Sequence, residues 1–101
     1  MIVVKDKKTG LWLKRHRYAC VYAARPEWAK GRIPIQSNYI GVSNWQKASK
    51  FASEKGVKLS LSSTVRNNPS NVYDGYHTVF KPELYEFFSV GDKGLTKIVI
   101  E

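Results

Sequence analysis

Apolar and polar positions alternate with a period of two over much of the chain, and turn residues interrupt the alternation at regular intervals. Ile2 to Lys5 and Leu11 to Leu13 flank Asp6-Lys7-Lys8-Thr9-Gly10, whose length and glycine predict a β-hairpin. Lys14-Arg15-His16-Arg17 breaks the pattern. It resumes at Tyr18, with Ala19, Val21 and Ala23 on one side and Tyr18, Cys20 and Tyr22 on the other, which predicts an interior strand. Pro26 and Gly31 mark the following segment, Arg25 to Arg32, as a loop, and Ile33 to Ser43 reads as the return strand of a second, wider hairpin.

The helical signal falls next. Ser43-Asn44-Trp45-Gln46 fits a capping box and Gly56 stands where a left-handed cap closes a helix, so the pattern predicts a helix over 44–55. At 100° per residue Trp45, Ala48, Phe51 and Ala52 share one arc, opposite Gln46, Lys47, Lys50, Ser53 and Glu54. Val57, Leu59 and Leu61 then alternate with Lys58, Ser60 and Ser62 and predict a short strand. Arg66 to Asn71 is a polar loop in which Asn67, Asn68 and Asn71 are turn formers. Tyr76 to Phe80, Leu84 to Val90 and Leu95 to Ile100 read as strands, with Pro82 able to open a short helix before the second. The expected class is α+β: an antiparallel sheet with one main amphipathic helix, residues 44–55, packed on one face.

At 101 residues and 43% apolar content the chain fits a single domain, 1–101, and has enough apolar mass for a core. No apolar run approaches the ~20 residues of a membrane span. The N-terminus lacks a leader pattern, and the one cysteine, Cys20, suits a reducing compartment and reads as a buried small hydrophobe. The expectation is a cytoplasmic protein with no membrane association.

Charge sharpens the picture. Residues 1–58 carry thirteen Lys and Arg against three acids, whereas 59–101 carry four against five. A basic half that repels itself points to a polyanionic partner: nucleic acid, DNA before RNA, or an acidic protein surface. The candidate contact residues are Lys14, Arg15 and Arg17 before the expected interior strand, Arg25, Lys30 and Arg32 in the loop after it, and Lys47 and Lys50 on the wet side of the expected helix. Tyr18 and Trp28 are placed to stack on bases or pack on sugars, with Tyr22 beside them. Trp12 and Trp45 are expected in the core.

Catalytic chemistry finds little support. His16 and His77 stand apart from other ligand-type residues at metal spacings, the eight acids are scattered singly, and the seven glycines fall at turns rather than in a phosphate cradle. No enzyme activity, metal or cofactor is expected. Residues 17–56, a basic strand, a hairpin, Tyr39-Ile40-Gly41-Val42-Ser43 and an alanine-bearing helix, resemble the DNA-binding domains of plant ethylene-response factors, and the arm-binding domains of phage-type integrases look similar. That resemblance implies three antiparallel strands backed by a helix, with Arg15, Arg17, Tyr18 and Arg32 on the DNA face and Ala48 and Ala52 letting the helix lie close to the sheet. Ser63-Thr64-Val65 with Gly75-Tyr76 is also similar to modular repeats appended to intron-encoded endonucleases. Cys20-Val21-Tyr22 with Tyr39-Ile40-Gly41 looks like a degenerate GIY-YIG nuclease, but the expected helix offers Lys47 and Lys50 where that family needs an arginine.

Overall fold

The computed structural model describes residues 1–101, the side chain of Val72 excepted. The chain is α+β, as the alternation implied. Six strands form an antiparallel sheet in the order β3-β4-β2-β1-β7-β8, and two more, β5 and β6, form a separate ribbon. β1 (Ile2–Asp6) lies between β2 (Trp12–Arg15) and β7 (Tyr85–Gly91); β4 (Tyr39–Val42) and β3 (Ile33–Gln36) extend one side, and β8 (Gly94–Ile98) extends the other.

The first hairpin closes as expected. The buried Asp6 carboxylate accepts from Thr9 N at 2.9 Å and from Thr9 Oγ1 at 2.7 Å, holding the turn from within. Alternation then decides which layer each strand residue joins. One face carries Ile2, Val4, Leu13, Tyr39 and Phe87 into the main core, completed by Phe51, Val57, Leu61, Tyr85 and Ile100. The other places Val3 and Trp12 under Ala48 and Trp45, with Phe88 set edge-on to Trp12 at 5.2 Å. Gly41 is required here, because a Cβ would stand 2.7 Å from Leu11 Cδ1, inside any real contact.

Several expectations are corrected. The segment read as an interior strand is a helix, α1 (Ala19–Ala24). Alanine is the best helix former, and a six-residue run of small and apolar residues satisfies either period; packing of α1 against the edge strand β3 selects the helix. Cys20 is therefore exposed. Ile33 to Ser43 is two strands rather than one, folded back at Ser37-Asn38, with a register shift between Pro34 and Gln36. An edge position tolerates both Pro34 and this bulge.

The helix expected over 44–55 lies ten residues later, as α2 (Glu54–Leu61). Only one 3₁₀ turn, Trp45–Lys47, forms in the expected place, capped by the Asn44 side chain. Ala48 then turns extended (ψ 155°), and the chain threads across β2 and β1. Ser49 N donates to Leu13 O, Ser49 Oγ accepts from Arg15 N, and Phe51 exchanges two 2.8 Å backbone hydrogen bonds with Ile2. These tertiary partners replace the intrahelical ones. Ala48 and Phe51 are still buried, but Ala52 is exposed.

α2 starts where Ser53 Oγ accepts from Gly56 N at 3.2 Å, so Gly56 sits in the first turn and does not end a helix. The strand expected over 57–61 is thus helical: Val57 and Leu61 enter the core four residues apart, while Leu59, which a strand would have buried with them, is 71% exposed. The C-terminal expectations hold more closely: β6 (Tyr76–Val79), β7 and β8 form where read, and Pro82–Leu84 is a 3₁₀ turn leading into β7. No helix among the described residues is long and apolar enough to cross a membrane.

Candidate nucleic-acid interface

Between Lys14 and Arg32 the sequence places six basic side chains and one acid. β2 delivers Lys14 and Arg15, both exposed, at its C-terminal end, and His16 N then donates to Asn38 O at 2.9 Å, tying the exit to the β3–β4 turn. Tyr18 N donates to His16 Nδ1 at 3.2 Å. This short turn launches α1.

Helix geometry creates the aromatic cluster. Tyr18 and Tyr22 are four residues apart, which on a strand means about 13 Å but on a helix one turn. Their ring centroids are 6.3 Å apart, and His16 lies 5.9 Å from Tyr18 and 5.2 Å from Tyr22. Arginines flank this group. Arg17 stands over Tyr18 at 5.6 Å and Arg32 over Tyr22 at 5.7 Å, while beyond the end of α1 Arg25 stacks on Trp28 at 4.6 Å.

The loop is shaped to hold this arrangement. Pro26 opens a 3₁₀ turn through Trp28, which buries Ala29 and leaves Trp28 52% exposed beneath Arg25. Lys30 (φ 51°) and Gly31 (φ 84°) are both left-handed, and Arg32 N donates to Ala29 O at 3.1 Å, closing a tight turn with Lys30 at its tip. Arg32 is thereby returned to the root of β3, next to Tyr22.

An arginine stacked on a ring differs chemically from one in an ion pair. The ring attracts the cation without taking its charge or pairing its N–H donors with a carboxylate, so both stay available to phosphate oxygens. The stacking also restrains a long side chain in advance, which lowers the entropy lost on binding. Among the described residues the single ion pair is Lys97 with Glu86 at 3.2 Å, far along the sheet order, and Glu27 neutralises none of its basic neighbours.

Of the residues singled out from sequence, Arg17, Tyr18, Arg25, Trp28 and Arg32 are brought into these stacks, with Lys14, Arg15 and Lys30 exposed on the segments that border them. Lys47 and Lys50 are not. Lys47 is exposed in the 3₁₀ turn, and Lys50 Nζ is engaged by the carbonyls of Gln46 at 2.9 Å and Ala48 at 3.2 Å, so it stabilises the turn. The reading from sequence missed His16, whose ring joins the two tyrosines; the i, i+4 spacing of Tyr18 and Tyr22 was the available signal, hidden by the strand assignment. Among the described residues no three of His, Cys, Asp and Glu converge. No family model, curated protein or solved structure matches the chain.

Proposed function

We propose that the protein is a small non-enzymatic nucleic-acid-binding domain, for DNA in preference to RNA, whose contact surface is α1 with its two flanking turns. What carries this reading is the set of three arginines stacked on Tyr18, Tyr22 and Trp28 with no carboxylate paired to them. The guanidinium groups contact phosphates, with Lys14, Arg15 and Lys30 extending the track. The exposed rings pack on sugars or stack on unpaired bases.

Titration of the whole protein with fluorescent DNA over a salt series tests it. Six phosphate contacts give a slope of log affinity against log salt of about −5, a loss of about a thousandfold between 50 and 200 mM. A flat salt profile, or no binding to duplex or single strands of either nucleic acid, overturns the proposal and returns the basic surface to an acidic protein partner.

A further inference from the structure

The β5 (Ser63–Arg66) and β6 (Tyr76–Val79) ribbon has no role in the core. Neither strand pairs with the six-stranded sheet, every residue of β5 is exposed, and in β6 only Val79, at the root, is half-buried. A bare two-stranded hairpin is marginal by itself, so its order comes from both ends. At the root, Leu61 and Phe80 pack in the main core and Leu61 O accepts from Gln36 Nε2 at 3.0 Å. At the tip, asparagines brace the turn: Asn67 Nδ2 donates to Asp74 O at 3.0 Å, Asn71 Oδ1 accepts from Tyr73 N at 3.0 Å, and Asn68 Oδ1 accepts from Ser70 N at 3.0 Å. The result is a preformed arm. The molecule measures 50 × 35 × 20 Å, with a radius of gyration of 14.9 Å where about 13 Å is usual for this size.

Resting on the nucleic-acid reading above, we infer that this arm enters the major groove of B-form duplex DNA and reads base edges there. The groove admits a two-stranded ribbon, and this ribbon is bare on both faces. The pairing register puts Thr64 opposite Thr78 and Arg66 opposite Tyr76, so one face is a continuous patch of four hydrogen-bonding side chains, with Arg66 able to bond guanine O6 and N7. On that face Arg66 is the one charged side chain and forms no ion pair, while the arm's one acid, Asp74, lies at the tip, where its carboxylate accepts from Asn71 Nδ2 at 3.2 Å. The root also adjoins the strand that bears α1: Gln36, which holds Leu61, ends β3, against which α1 packs. The stacked arginines thus hold the backbone while the arm supplies selectivity.

The test uses the full chain, a variant in which residues 64–78 are replaced by Asn-Gly, and Arg66→Ala. Binding sites are selected from a random duplex pool, and contacts are mapped by guanine N7 methylation interference. The expected results are a preferred site containing guanine, interference at its N7, and a loss of about ten- to hundredfold in preference over random DNA for both variants. The salt slope should move by no more than about one unit, because the phosphate contacts remain. Since the arm contributes no residue to the core between Ser62 and Val79, the shortened variant should keep its melting transition, and Arg66→Ala provides the same readout with the arm intact. Unchanged preference in Arg66→Ala, absence of N7 interference, or equal affinity for double-stranded RNA, whose major groove is too narrow for the ribbon, overturns the inference while leaving steep salt dependence untouched. Loss of salt-dependent binding in the unmodified protein overturns both readings.

Discussion

Two basic regions of this molecule treat their charge in opposite ways. On the β7–β8 side, Lys97 reaches the Glu86 carboxylate at 3.2 Å, so a cation and an acid are paired on the sheet. On the α1 side, Arg17, Arg25 and Arg32 have rings for neighbours instead. Exposed ion pairs contribute little to stability and consume the charge they contain. A ring restrains a guanidinium and leaves its charge and donors available. Similar side chains thus carry a paired charge in one region and charges set beside rings in the other, and net charge alone does not distinguish them.

The largest effect expected from this difference is on affinity. Reversing Arg15, Arg17, Arg25 and Arg32 to Glu should lower the salt slope by about four units and abolish measurable binding at moderate salt, whereas Lys93→Glu with Lys97→Glu should cost less than about tenfold. Fluorescence anisotropy over a salt series measures both, and equal losses would erase the contrast.

Stability separates the regions in the reverse sense. Leu13 is fully buried in the sheet, so Leu13→Ala should cost about 2–5 kcal/mol in chemical denaturation. Tyr18→Ala, at a position 48% exposed, should change stability by less than about 1 kcal/mol yet weaken single-strand binding by about 1–3 kcal/mol. Should Tyr18→Ala unfold the protein, the aromatic cluster belongs to the core and not to the interface.

The smallest effect is pH-dependent and confined to the sheet region. The phenol of Tyr85 is held above its ordinary value of about 10, first by burial, then by the Asp6 carboxylate and by Tyr39. A raised value in the folded state means that the stability it contributes is complete below pH 10 and is lost as pH rises through the folded value. Denaturation midpoints of the unmodified protein should fall above pH 10, and the fall should be shallower in Tyr85→Phe. An identical pH profile in the two proteins would remove Tyr85 as the cause.

The legibility of the sequence differed between these regions for physical reasons. The hairpin around Asp6 to Gly10 and the strands β6, β7 and β8 were readable, because long alternation bounded by turn residues has one sensible solution. The grouping of basic and aromatic residues from Arg17 to Arg32 was also readable along the chain. Their arrangement was not, since a strand through Tyr18 and Tyr22 would have set the rings too far apart to stack. The hydrogen bonds of Lys50 were not legible, because nothing local shows that Ala48 breaks the helix and offers its carbonyl to the ammonium group. The arm was seen only as a loop between short strands, and its isolation from the main sheet has no signature in alternation.

By itself, then, the amino-acid order determined the α+β class, the division of charge between the two halves and the hairpins closed by their own turn residues. These depend on composition and on contacts a few residues apart. Only the tertiary structure decided that 19–24 is a helix, that the second helix starts at Glu54, and that β5 and β6 stand apart from the sheet. Short apolar runs satisfy the periods of two and of 3.6 almost equally, so small differences in local preference are outweighed by partners distant in sequence: β3 beneath α1, Leu13 and Ile2 beside Ser49 and Phe51, and Gln36 at the root of the arm.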